Sequence, residues 1–299
     1  MIVVVGEQVV DLVPAGEGIL KASLGGGPAN TAIAAARLGA TVAMAARTGR
    51  DSFGAAFTDR LAASGVDTRY VRPTGQPSAL ALAAVDRTGE AHYDFWLSGA
   101  ADFGWRLAEL PQLDAGTTIH LGSLAAFLPP GADTLERWAL AHQERCTISF
   151  DPNIRSVALE RPDSLVRLER LAELARVIRV SAGDLAHAYP QVEPMTTARR
   201  WLRHSNLVVL THGKSGATAL TADSTVHVAP PPVTVMDTIG AGDTATGALL
   251  TWLQSHDWPA TAPALREMLT FVVTAAALTC TRVGADPPFL ADLADHGRQ

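Results

Sequence analysis

Short apolar runs alternate with longer amphipathic stretches along most of the chain. The apolar runs are rich in β-branched residues, which is typical of buried strands, and they lie at 2–5, 41–46, 118–121, 146–150, 177–180 and 207–210. The amphipathic stretches have the period of helices, and they lie at 28–38, 51–65, 130–142 and 165–174. Strands that alternate with helices in this way predict an α/β fold with a central, mostly parallel sheet flanked by helices.

The alternation is interrupted between about residues 67 and 104. Two strand-like runs, at 79–85 and 91–97, follow each other with only the polar segment 86–90 between them, which is the pattern of a hairpin. Because no helix separates the two runs, they need not belong to the main sheet. The sequence therefore predicts a small β-appendage to the α/β fold.

Residues 237–248, with the sequence D-T-I-G-A-G-D-T-A-T-G-A, combine small residues, two acids and the start of an apolar helix. A Gly-rich loop that opens into a helix leaves the first N–H groups of the helix free to bind an anion, and the helix dipole favours that binding. A carboxylate at this place, Asp243, is unfavourable for anion binding alone. It fits a base that takes a proton from a hydroxyl attacking phosphorus, and the alternative is that Asp243 only caps the helix.

Three further segments carry residues that suit ligand binding. Asp11 lies within an apolar strand-like run, where it either binds a ligand or stabilises a turn. Three glycines at 25–27 directly precede a predicted helix, which indicates either close approach of the backbone to a ligand or a flexible turn. The string D-P-N-I-R at 151–155 follows a predicted strand, the usual position of site residues in α/β folds, although an ordinary turn with a local ion pair explains it too.

Composition narrows the classes of function. The chain has 299 residues, of which 47% are hydrophobic, and no linker, repeat or low-complexity tract divides it, so we predict one domain over 1–299. The net charge of −6 argues against nucleic acid or an anionic membrane as a partner. No uninterrupted apolar run reaches the ~18 residues of a membrane span, and no basic, apolar leader precedes the first strand, so we expect a cytoplasmic protein.

Three of these strings resemble the PfkB/ribokinase family of sugar kinases. Residues 237–248 resemble the family's C-terminal signature D-T-x-G-A-G-D, and the turn at 25–30 is similar to its first signature, G-G-x-x-x-N. The string at 151–155 matches the fructokinase-like branch. The resemblance implies a ribokinase-like fold, transfer of phosphate from ATP to a sugar hydroxyl, and a lid over the substrate formed by about 9–25 and 67–104.

The resemblance also implies a role for each matching residue. Asp243 would be the general base, and the backbone N–H groups of Gly240, Ala241 and Gly242 would hold the γ-phosphate. The sugar would be bound by Asp11, Gly26, Gly27, Asn30, Phe95, Asp151, Asn153 and Arg155. The nucleotide would be bound by Ser181, Asp184, Thr211, Gly213, Gly216 and Gly242.

Two cations are implied beside ATP. Ser181 and Asp184 stand where many relatives carry N-x-x-E, which helps to hold Mg²⁺, although Asp184 is equally explained as the cap of the next helix. A monovalent cation, K⁺, would be bound near the anion hole by Asp237, the carbonyl of Ile239, and Gly284.

A neutral sugar is the predicted substrate. Relatives that act on acid sugars carry an Arg where this chain has Leu97, and relatives that act on phosphosugars favour a Lys where it has Gly27. The string at 151–155 and the lid pattern favour fructose. Ribose or a nucleoside stays open as an alternative, because Phe95 and Trp96 could stack on a base.

One alternative of another class remains for the chain as a whole, and one for the aromatic residues of the predicted lid. A sensor of sugar or nucleotide without catalytic activity would keep the fold, but it would not need the acid at 243 or the Gly-Ala-Gly turn. The aromatic residues Tyr93, Phe95 and Trp96 could form the core of the lid or a dimer interface instead of a substrate surface, so a homodimer through the lid is possible by resemblance.

Overall fold

The computed structural model of the chain describes residues 1–85 and 91–296, and side chains at 83–85 and 91–93 stay outside that description. The predicted hairpin connection at 86–90 and the side chain of Tyr93 therefore lie outside the described residues. The strands are β1 (Ile2–Val5), β2 (Val9–Gly16), β3 (Ile19–Leu24), β4 (Val42–Gly49), β5 (Asp67–Thr74), β6 (Ala79–Val85), β7 (Ala91–Trp96), β8 (Thr118–Gly122), β9 (Thr147–Asp151), β10 (Val177–Ser181), β11 (Leu207–Thr211), β12 (Ala217–Leu220) and β13 (Thr225–Val228). The helices are α1 (Gly27–Arg37), α2 (Ser52–Ala63), α3 (Ala132–His142), α4 (Ser156–Leu159), α5 (Ser164–Leu174), α6 (Ala182–Ala188), α7 (Pro194–Trp201), α8 (Ala241–Ser255), α9 (Ala262–Thr279) and α10 (Leu290–His296).

The main sheet has, within the described residues, nine strands in the order β13-β12-β11-β10-β9-β8-β1-β4-β5. All neighbours from β11 to β5 run parallel, and β12 and β13 add antiparallel pairs at one edge. The predicted α/β fold with a mostly parallel sheet is confirmed. The chain builds outward from β1 in both directions, and ligands of such sheets bind outside the carboxyl ends of the strands near that reversal.

Helices cover both faces of the main sheet, because successive side chains of a strand point to opposite faces. In β1, Val3 and Val5 face the layer formed by α3, α5, α6 and α7. Ile2 and Val4 face the opposite layer, where α1 and α2 pack. Helices α8 and α9 extend that second layer over β11 and β12. With both faces closed, the carboxyl edge of the sheet is where a site can open.

A second, smaller sheet has the order β3-β2-β6-β7, and we call it the small sheet. Strands β2 and β6 pair in parallel, and the other two pairs are antiparallel. The predicted β-appendage is thus present, but the boundary 67–104 given to the lid is too wide. Residues 67–74 form β5, which pairs with β4 at the edge of the main sheet. The reason is that α2 supplies the crossover that a parallel β4–β5 pair needs.

Helix α9 is long and apolar enough, judged by length and composition alone, to cross a membrane. It carries Arg266 and Glu267 within that length. Its apolar side chains, among them Leu265, Met268 and Leu269, are fully buried in the cluster shared with α8 and the strands β11 and β12. Packing inside the fold therefore accounts for its apolar character.

Candidate active site

The predicted site residues meet at the carboxyl edge of the main sheet. Asp151, Ser181 and Thr211 are the last residues of three neighbouring parallel strands, β9, β10 and β11. The helices α1 and α8 start at the same edge and pack against each other, with the oxygen of Thr31 Oγ1 3.4 Å from the carbonyl oxygen of Asp243. The fold thus brings together segments that lie more than 200 positions apart.

The first turn of α8 has the form of an anion seat. Gly240 precedes the helix in the left-handed conformation, with φ of 79°, and no side chain among the described residues caps the turn. A Cβ at Gly240 would lie 2.7 Å from Ala285 Cβ, so glycine is required there by both conformation and space. Asp243 lies inside the first turn rather than before it, so its interpretation as a helix cap is wrong.

The carboxylate of Asp243 is bound by side-chain amides. Asn30 Nδ2 donates to Asp243 Oδ2 over 2.9 Å, and Asn153 Nδ2 makes a longer contact of 3.5 Å with Oδ1. Burial raises the pKa of the Asp243 carboxyl to about 6, against the opposing effect of the Asn30 hydrogen bond. Nearby Asp151 raises this pKa further, and Arg155 opposes the rise. A carboxylate with a pKa near neutrality is well matched to proton abstraction.

The Gly-rich turn before α1 lies directly against this carboxylate. A Cβ at Gly27 would clash with Asn153 Nδ2 and come within 3.2 Å of Asp243 Oδ1. Gly26 has φ of 102°, and a Cβ there would lie 2.7 Å from the carbonyl oxygen of Glu7. The Gly-rich turn therefore approaches Asp243 and the loop after β1 closely, as predicted. Asn30, the first polar side chain of α1, then points at the carboxylate of Asp243.

The other predicted sugar ligands differ in their burial and in their contacts. Asp11 lies in β2, and burial raises the pKa of its carboxyl while Arg155 opposes the rise. Arg155 is exposed. Asn153 has φ of 39°, a left-handed conformation that aims its amide at Asp243. Phe95 is partly buried and packs on the large core cluster of the main sheet.

Asp151 differs from Asp243 and Asp11 because a buried guanidinium and a hydroxyl donate directly to its carboxylate. It is only 4% exposed. Its Oδ2 accepts from Arg179 Nη1 at 3.0 Å and from Thr246 Oγ1 at 2.6 Å, while Oδ1 accepts from the Asn153 backbone N–H at 3.1 Å. These bonds give Asp151 a place in holding Arg179 and the 151–155 turn.

Arg179 was missed by the sequence reasoning. It lies in the buried strand β10, and its Nη2 donates to Thr211 Oγ1 at 2.7 Å. Both of its terminal nitrogens would lie 3.1 Å from a Cβ at Gly242, so the guanidinium borders the anion seat. Burial lowers the pKa of Arg179, but Asp151 and Asp184 outweigh that effect and raise it. A signal existed: a charged residue inside an apolar strand is costly unless it is paired, as was argued for Asp11.

A cavity of about 490 Å³ opens beside the anion seat. It joins Thr211, Gly213, Gly216 and Gly242 of the predicted nucleotide set with Arg179. Its wall is mainly apolar and includes Pro230, Val235, Ala245, Val272 and Ala276. An apolar slot that ends at glycines, a guanidinium and a helix N-terminus suits a nucleotide, with the base in the slot and the phosphates at the helix. A larger groove of about 860 Å³ lies between α8, α9 and α10, and no predicted site residue lines it.

Ser181 and Asp184 do not line the cavity beside the anion seat. Ser181 is the N-cap of α6, because its Oγ accepts from the Asp184 backbone N–H at 2.9 Å. The interpretation of Asp184 as the cap is therefore wrong. Burial and the nearby Asp151 raise the pKa of the Asp184 carboxyl, and Arg179 opposes the rise. No group of three or more His, Cys, Asp or Glu side chains that could hold a metal ion occurs among the described residues, so Mg²⁺ would need oxygens of the nucleotide phosphates in addition to Asp184.

The predicted monovalent-cation residues form a connection between two loops. Asp237 Oδ1 accepts from the Ile239 N–H at 3.0 Å, and Oδ2 accepts from the Gly284 N–H at 2.7 Å. Burial opposes ionisation, but these hydrogen bonds outweigh it and lower the pKa of Asp237. The structure thus brings Asp237, Ile239 and Gly284 together beside Gly240. Each carboxylate oxygen keeps further lone-pair positions, so the set also fits a cation.

Comparison with known proteins finds relatives along nearly the whole chain. The model of the pfkB family of carbohydrate kinases matches residues 1–292. The fructokinase of Klebsiella pneumoniae is 35% identical over 288 residues, which are 94% of each chain. The crystal structure of the fructokinase from Vibrio cholerae O395 in a form with bound fructose, ADP and calcium ion has a TM-score of 0.89 and 27% identity, and the match covers 98% of this chain and 97% of that one. The aminoimidazole riboside kinase of Salmonella enterica, in complex with aminoimidazole riboside and an ATP analogue, has a TM-score of 0.88 and 25% identity, with 98% of each chain covered.

Proposed function

The chain belongs to the pfkB family of carbohydrate kinases and is an ATP-dependent sugar kinase, and from this premise we propose that it phosphorylates a neutral sugar, fructose above others, with Asp243 as the general base. One observation carries the proposal: Asp243 lies within the uncapped first turn of α8 and contacts Asn30 and the Gly27 turn. A single carboxylate thus lies at the anion seat and contacts the polar side chains predicted to bind the sugar.

The base acts on the attacking hydroxyl. A sugar held between the Gly27 turn, Asn30 and Asp11 presents its hydroxyl to Asp243, which takes the proton as the oxygen attacks phosphorus. Burial raises the pKa of Asp243 to about 6, which makes the carboxylate a stronger proton acceptor. Because this value is still below 7, the carboxylate stays mostly ionised at neutral pH. Asn153 and Asn30 fix the carboxylate so that one oxygen faces each amide.

The phosphate side relies on preorganised donors. We expect the N–H groups of Gly240 and Gly242 to bind the transferred phosphoryl group, and Arg179 borders the same space. The Ala241 N–H, which the sequence analysis placed in this set, donates to the Thr238 carbonyl oxygen at 3.3 Å. Fixed donors of this kind stabilise charge as it spreads over the phosphoryl oxygens, at no reorganisation cost during the reaction. Asp151 contributes by holding Arg179 in place. Arg179 therefore joins the predicted catalytic set.

Two positions support a neutral substrate. Leu97 is partly buried and packs on the core cluster, so it offers no charge to an acid sugar. Gly27 leaves no space for a lysine, because even a Cβ would clash with the Asn153 amide and crowd Asp243. Arg155 lies near the carboxylates of Asp11 and Asp243, which compensate its charge. Similarity to the fructokinase of Klebsiella pneumoniae and to the fructose-bound Vibrio cholerae fructokinase supports fructose as the substrate.

A nucleoside is the second candidate substrate. The aminoimidazole riboside kinase of Salmonella enterica shares the fold over 98% of each chain. In the small sheet, Trp96 is 54% exposed, but Asp11 is in register with Phe95 through Ala81, so the indole lies on the opposite face of the sheet from Asp11. The side chain of Phe95 is less available for stacking on a base, because it packs on the core cluster.

The cations complete the proposal. Mg²⁺ would be held with the nucleotide phosphates near Asp184, where its charge would relieve the repulsion between Asp184 and Asp151 and shield the phosphates. K⁺ would be held by Asp237, the Ile239 carbonyl and the Gly284 loop. The Vibrio cholerae fructokinase with a bound calcium ion is a relative that holds a cation. The chemistry of both cations is charge neutralisation beside the anion seat.

We also propose a homodimer, supported by the small sheet, and a cytoplasmic location, supported by the use of ATP. Ile19 and Leu20 of the edge strand β3 are 60% and 51% exposed, and Trp96 of the opposite edge strand is exposed as well. Apolar side chains on sheet edges support a homodimer through the small sheet, which light scattering of the purified protein would test. A cytoplasmic location agrees with the need for ATP.

A panel of acceptors tests the proposed substrate. The purified protein is given ATP, Mg²⁺ and K⁺ with fructose, ribose, aminoimidazole riboside, fructose 6-phosphate or an acid sugar, and ADP formation and product mass are measured. We expect the highest kcat/KM for fructose, with the anionic sugars lower by about 100-fold or more, because no uncompensated cation receives their charge. A preference for fructose 6-phosphate or the acid sugar would contradict the neutral pocket. A preference for aminoimidazole riboside would select the second candidate.

A further inference from the structure

Arg60 of α2 makes contacts that no role described so far explains. Its Nη1 donates to the carbonyl oxygen of Leu24 at 2.6 Å. Its Nη2 donates to Ala285 O at 2.9 Å and makes a longer bond of 3.3 Å to Asn30 Oδ1. One partly buried guanidinium thus joins three segments that are distant in sequence.

Each of the three segments borders the site. Leu24 is the last residue of β3, where the small sheet meets the Gly-rich turn. Asn30 is the residue that donates to Asp243. Ala285 fills the space next to Gly240, at the start of the anion seat. Arg60 therefore sits at the junction of the small sheet, the base and the anion-binding turn.

The bond to Asn30 favours one orientation of its amide, the same one that the Asp243 carboxylate requires. An asparagine side chain has an oxygen that accepts and a nitrogen that donates, and the two ends differ only by a flip of the amide. Arg60 donates to Oδ1, so Nδ2 is the end that meets Asp243. A flipped amide would place its oxygen against the carboxylate, which would repel the ionised base.

The charge of Arg60 is compensated at this position. Burial and the nearby Arg37 lower the pKa of Arg60, while Asp286 and Asp243 oppose that effect. A guanidinium taken from water is costly unless its donors are satisfied, and here carbonyl and amide oxygens satisfy them. The planar fork of an arginine can reach these acceptors together, which the single ammonium of a lysine cannot do.

We propose that Arg60 is a positioning residue for phosphoryl transfer, which orients the Asn30 amide towards Asp243 and ties the small sheet and the Gly240 turn to the base. The inference rests on the proposed role of Asp243. It predicts that Arg60 acts on catalysis through Asn30 and not by contact with either substrate.

The test compares Arg60→Met with a matched control, Arg37→Met. Arg37 holds the same loop through Asp286 Oδ1 at 2.5 Å and Pro287 O at 2.8 Å, but its described partners do not include Asn30 or Leu24. The control therefore loosens the loop without releasing the amide. Arg60→Lys is the conservative variant, and it carries the test if Arg60→Met does not fold.

The measurements are kcat, KM for the sugar and the pH profile of kcat. We expect Arg60→Met to lose about 10- to 100-fold in kcat, since small misplacements of catalytic groups have effects of this size. Its acid limb should move to higher pH, because Asp243 loses an oriented donor that opposes the rise of its pKa. Asp151, Arg155 and Arg179 face Asp243 in all variants, whereas the charge of Arg60 also acts on Asp243 and is lost in Arg60→Met. Arg60→Lys keeps that charge and changes only the hydrogen bonds. Arg37→Met should stay within about threefold with an unmoved acid limb, and Arg60→Lys should lie between the two.

Four outcomes decide the inference. A shifted acid limb in Arg60→Lys, which keeps the positive charge, with the limb unmoved in Arg37→Met, supports it. A shift confined to Arg60→Met overturns it, because the lost charge alone explains that shift. Equal behaviour of Arg60→Met and Arg37→Met overturns it, as does a loss of kcat that only follows a loss of thermal stability with the acid limb in place. The base itself is tested separately by Asp243→Asn: if that variant keeps its turnover, the proposed function fails, whereas a dead Asp243→Asn with unshifted Arg60 variants removes only the role of Arg60.

Discussion

Two buried acids of the site, Asp151 at the end of β9 and Asp243 at the start of α8, have opposite surroundings. Asp151 accepts directly from a guanidinium and a hydroxyl, those of Arg179 and Thr246. Asp243 accepts from side-chain amides, with Asn30 at 2.9 Å. Both carboxylates lie at the same edge of the same sheet, so the difference comes from their partners and not from the fold.

The comparison shows what makes one carboxylate basic. Asp151 is held in an ion pair with Arg179, whereas burial beside neutral amides favours the protonated form of Asp243. Burial raises the pKa of Asp243 to about 6, and the charge of Asp151 adds to the rise. The paired acid thus serves as an anchor and also tunes the base.

Asp243→Asn should give the largest effect on activity. The asparagine keeps the size of the side chain but takes no proton, so we expect kcat to fall by about 10² to 10⁴ while ATP still binds. Steady-state kinetics with the preferred sugar and calorimetric titration with ATP measure the two quantities. Turnover close to that of the wild type would refute the assignment of the base.

Stability provides the control for this variant. The pKa of Asp243 in the folded protein lies above its ordinary value of 3.8. The folded state then binds more protons than the unfolded state between about pH 4 and 6, so stability falls as pH rises through that window. Asp243→Asn removes this cost, and we expect its Tm to equal or exceed that of the wild type at pH 7, with the gain absent at pH 4. A lower Tm at pH 7 would mean that lost activity reflects damage to the fold.

Asp151→Asn should show the reverse pattern, with a large effect on stability. The change leaves Arg179 buried without its charged partner, and removing one member of a buried pair destabilises by about 3 to 5 kcal/mol. Urea unfolding measures the loss, and kcat of the folded fraction should fall less than in Asp243→Asn. If the two asparagine variants had equal stability, the distinction between anchor and base would be wrong.

The double variant Asp151→Asn with Arg179→Met sharpens this result. It removes both charges, so part of the lost stability should return relative to Asp151→Asn alone. Activity should stay low, because the guanidinium beside Gly242 is absent. A recovery of activity together with stability would show that Arg179 has no part in binding the phosphate.

The sequence predicted the parts of the site that depend on backbone and small residues. The Gly-Ala-Gly turn before α8 and the Gly-rich turn before α1 are local patterns, and the contact between Gly27 and Asp243 follows once both helices start at one sheet edge. The fold class could be predicted as well, because the alternation of strands and helices is also a local pattern of the sequence. The edge strand β5 was misplaced because its sequence resembles that of the strands of the small sheet, and its partner β4 is set by tertiary pairing.

Partners that depend on side-chain direction could not be predicted in this way. Arg179 and Arg60 occur in ordinary strand and helix patterns, and their roles follow from contacts to Asp151, Thr211 and Asn30 that are far away in sequence. A buried arginine in an apolar strand was a signal for the first of them, but a helical arginine such as Arg60 gives none, since most lie in water.

The pH profile of the wild type should show a smaller effect of the same contrast. Burial raises the pKa of Asp243 to about 6, so its carboxyl is increasingly protonated below that pH and can no longer accept the hydroxyl proton. We expect kcat/KM for the sugar to fall about tenfold per pH unit below pH 6, with one proton involved. If kcat/KM began to fall only near pH 4, the base would be in a solvated environment and its pKa would equal that of an ordinary aspartate.

Ser181→Ala should have the smallest effect, and it extends the comparison to a third acid, Asp184. Ser181 caps α6 by accepting from the Asp184 N–H, and loss of such a cap costs about 1 kcal/mol. We therefore expect a Tm lower by about 2 to 4 °C and a kcat within about twofold of the wild type at saturating Mg²⁺. The resemblance to sugar kinases instead gives Ser181 a part in binding the nucleotide. A kcat lower by about 100-fold with an unchanged Tm would favour that role, because a hydroxyl that only ends a helix acts on stability and leaves the reacting groups in place.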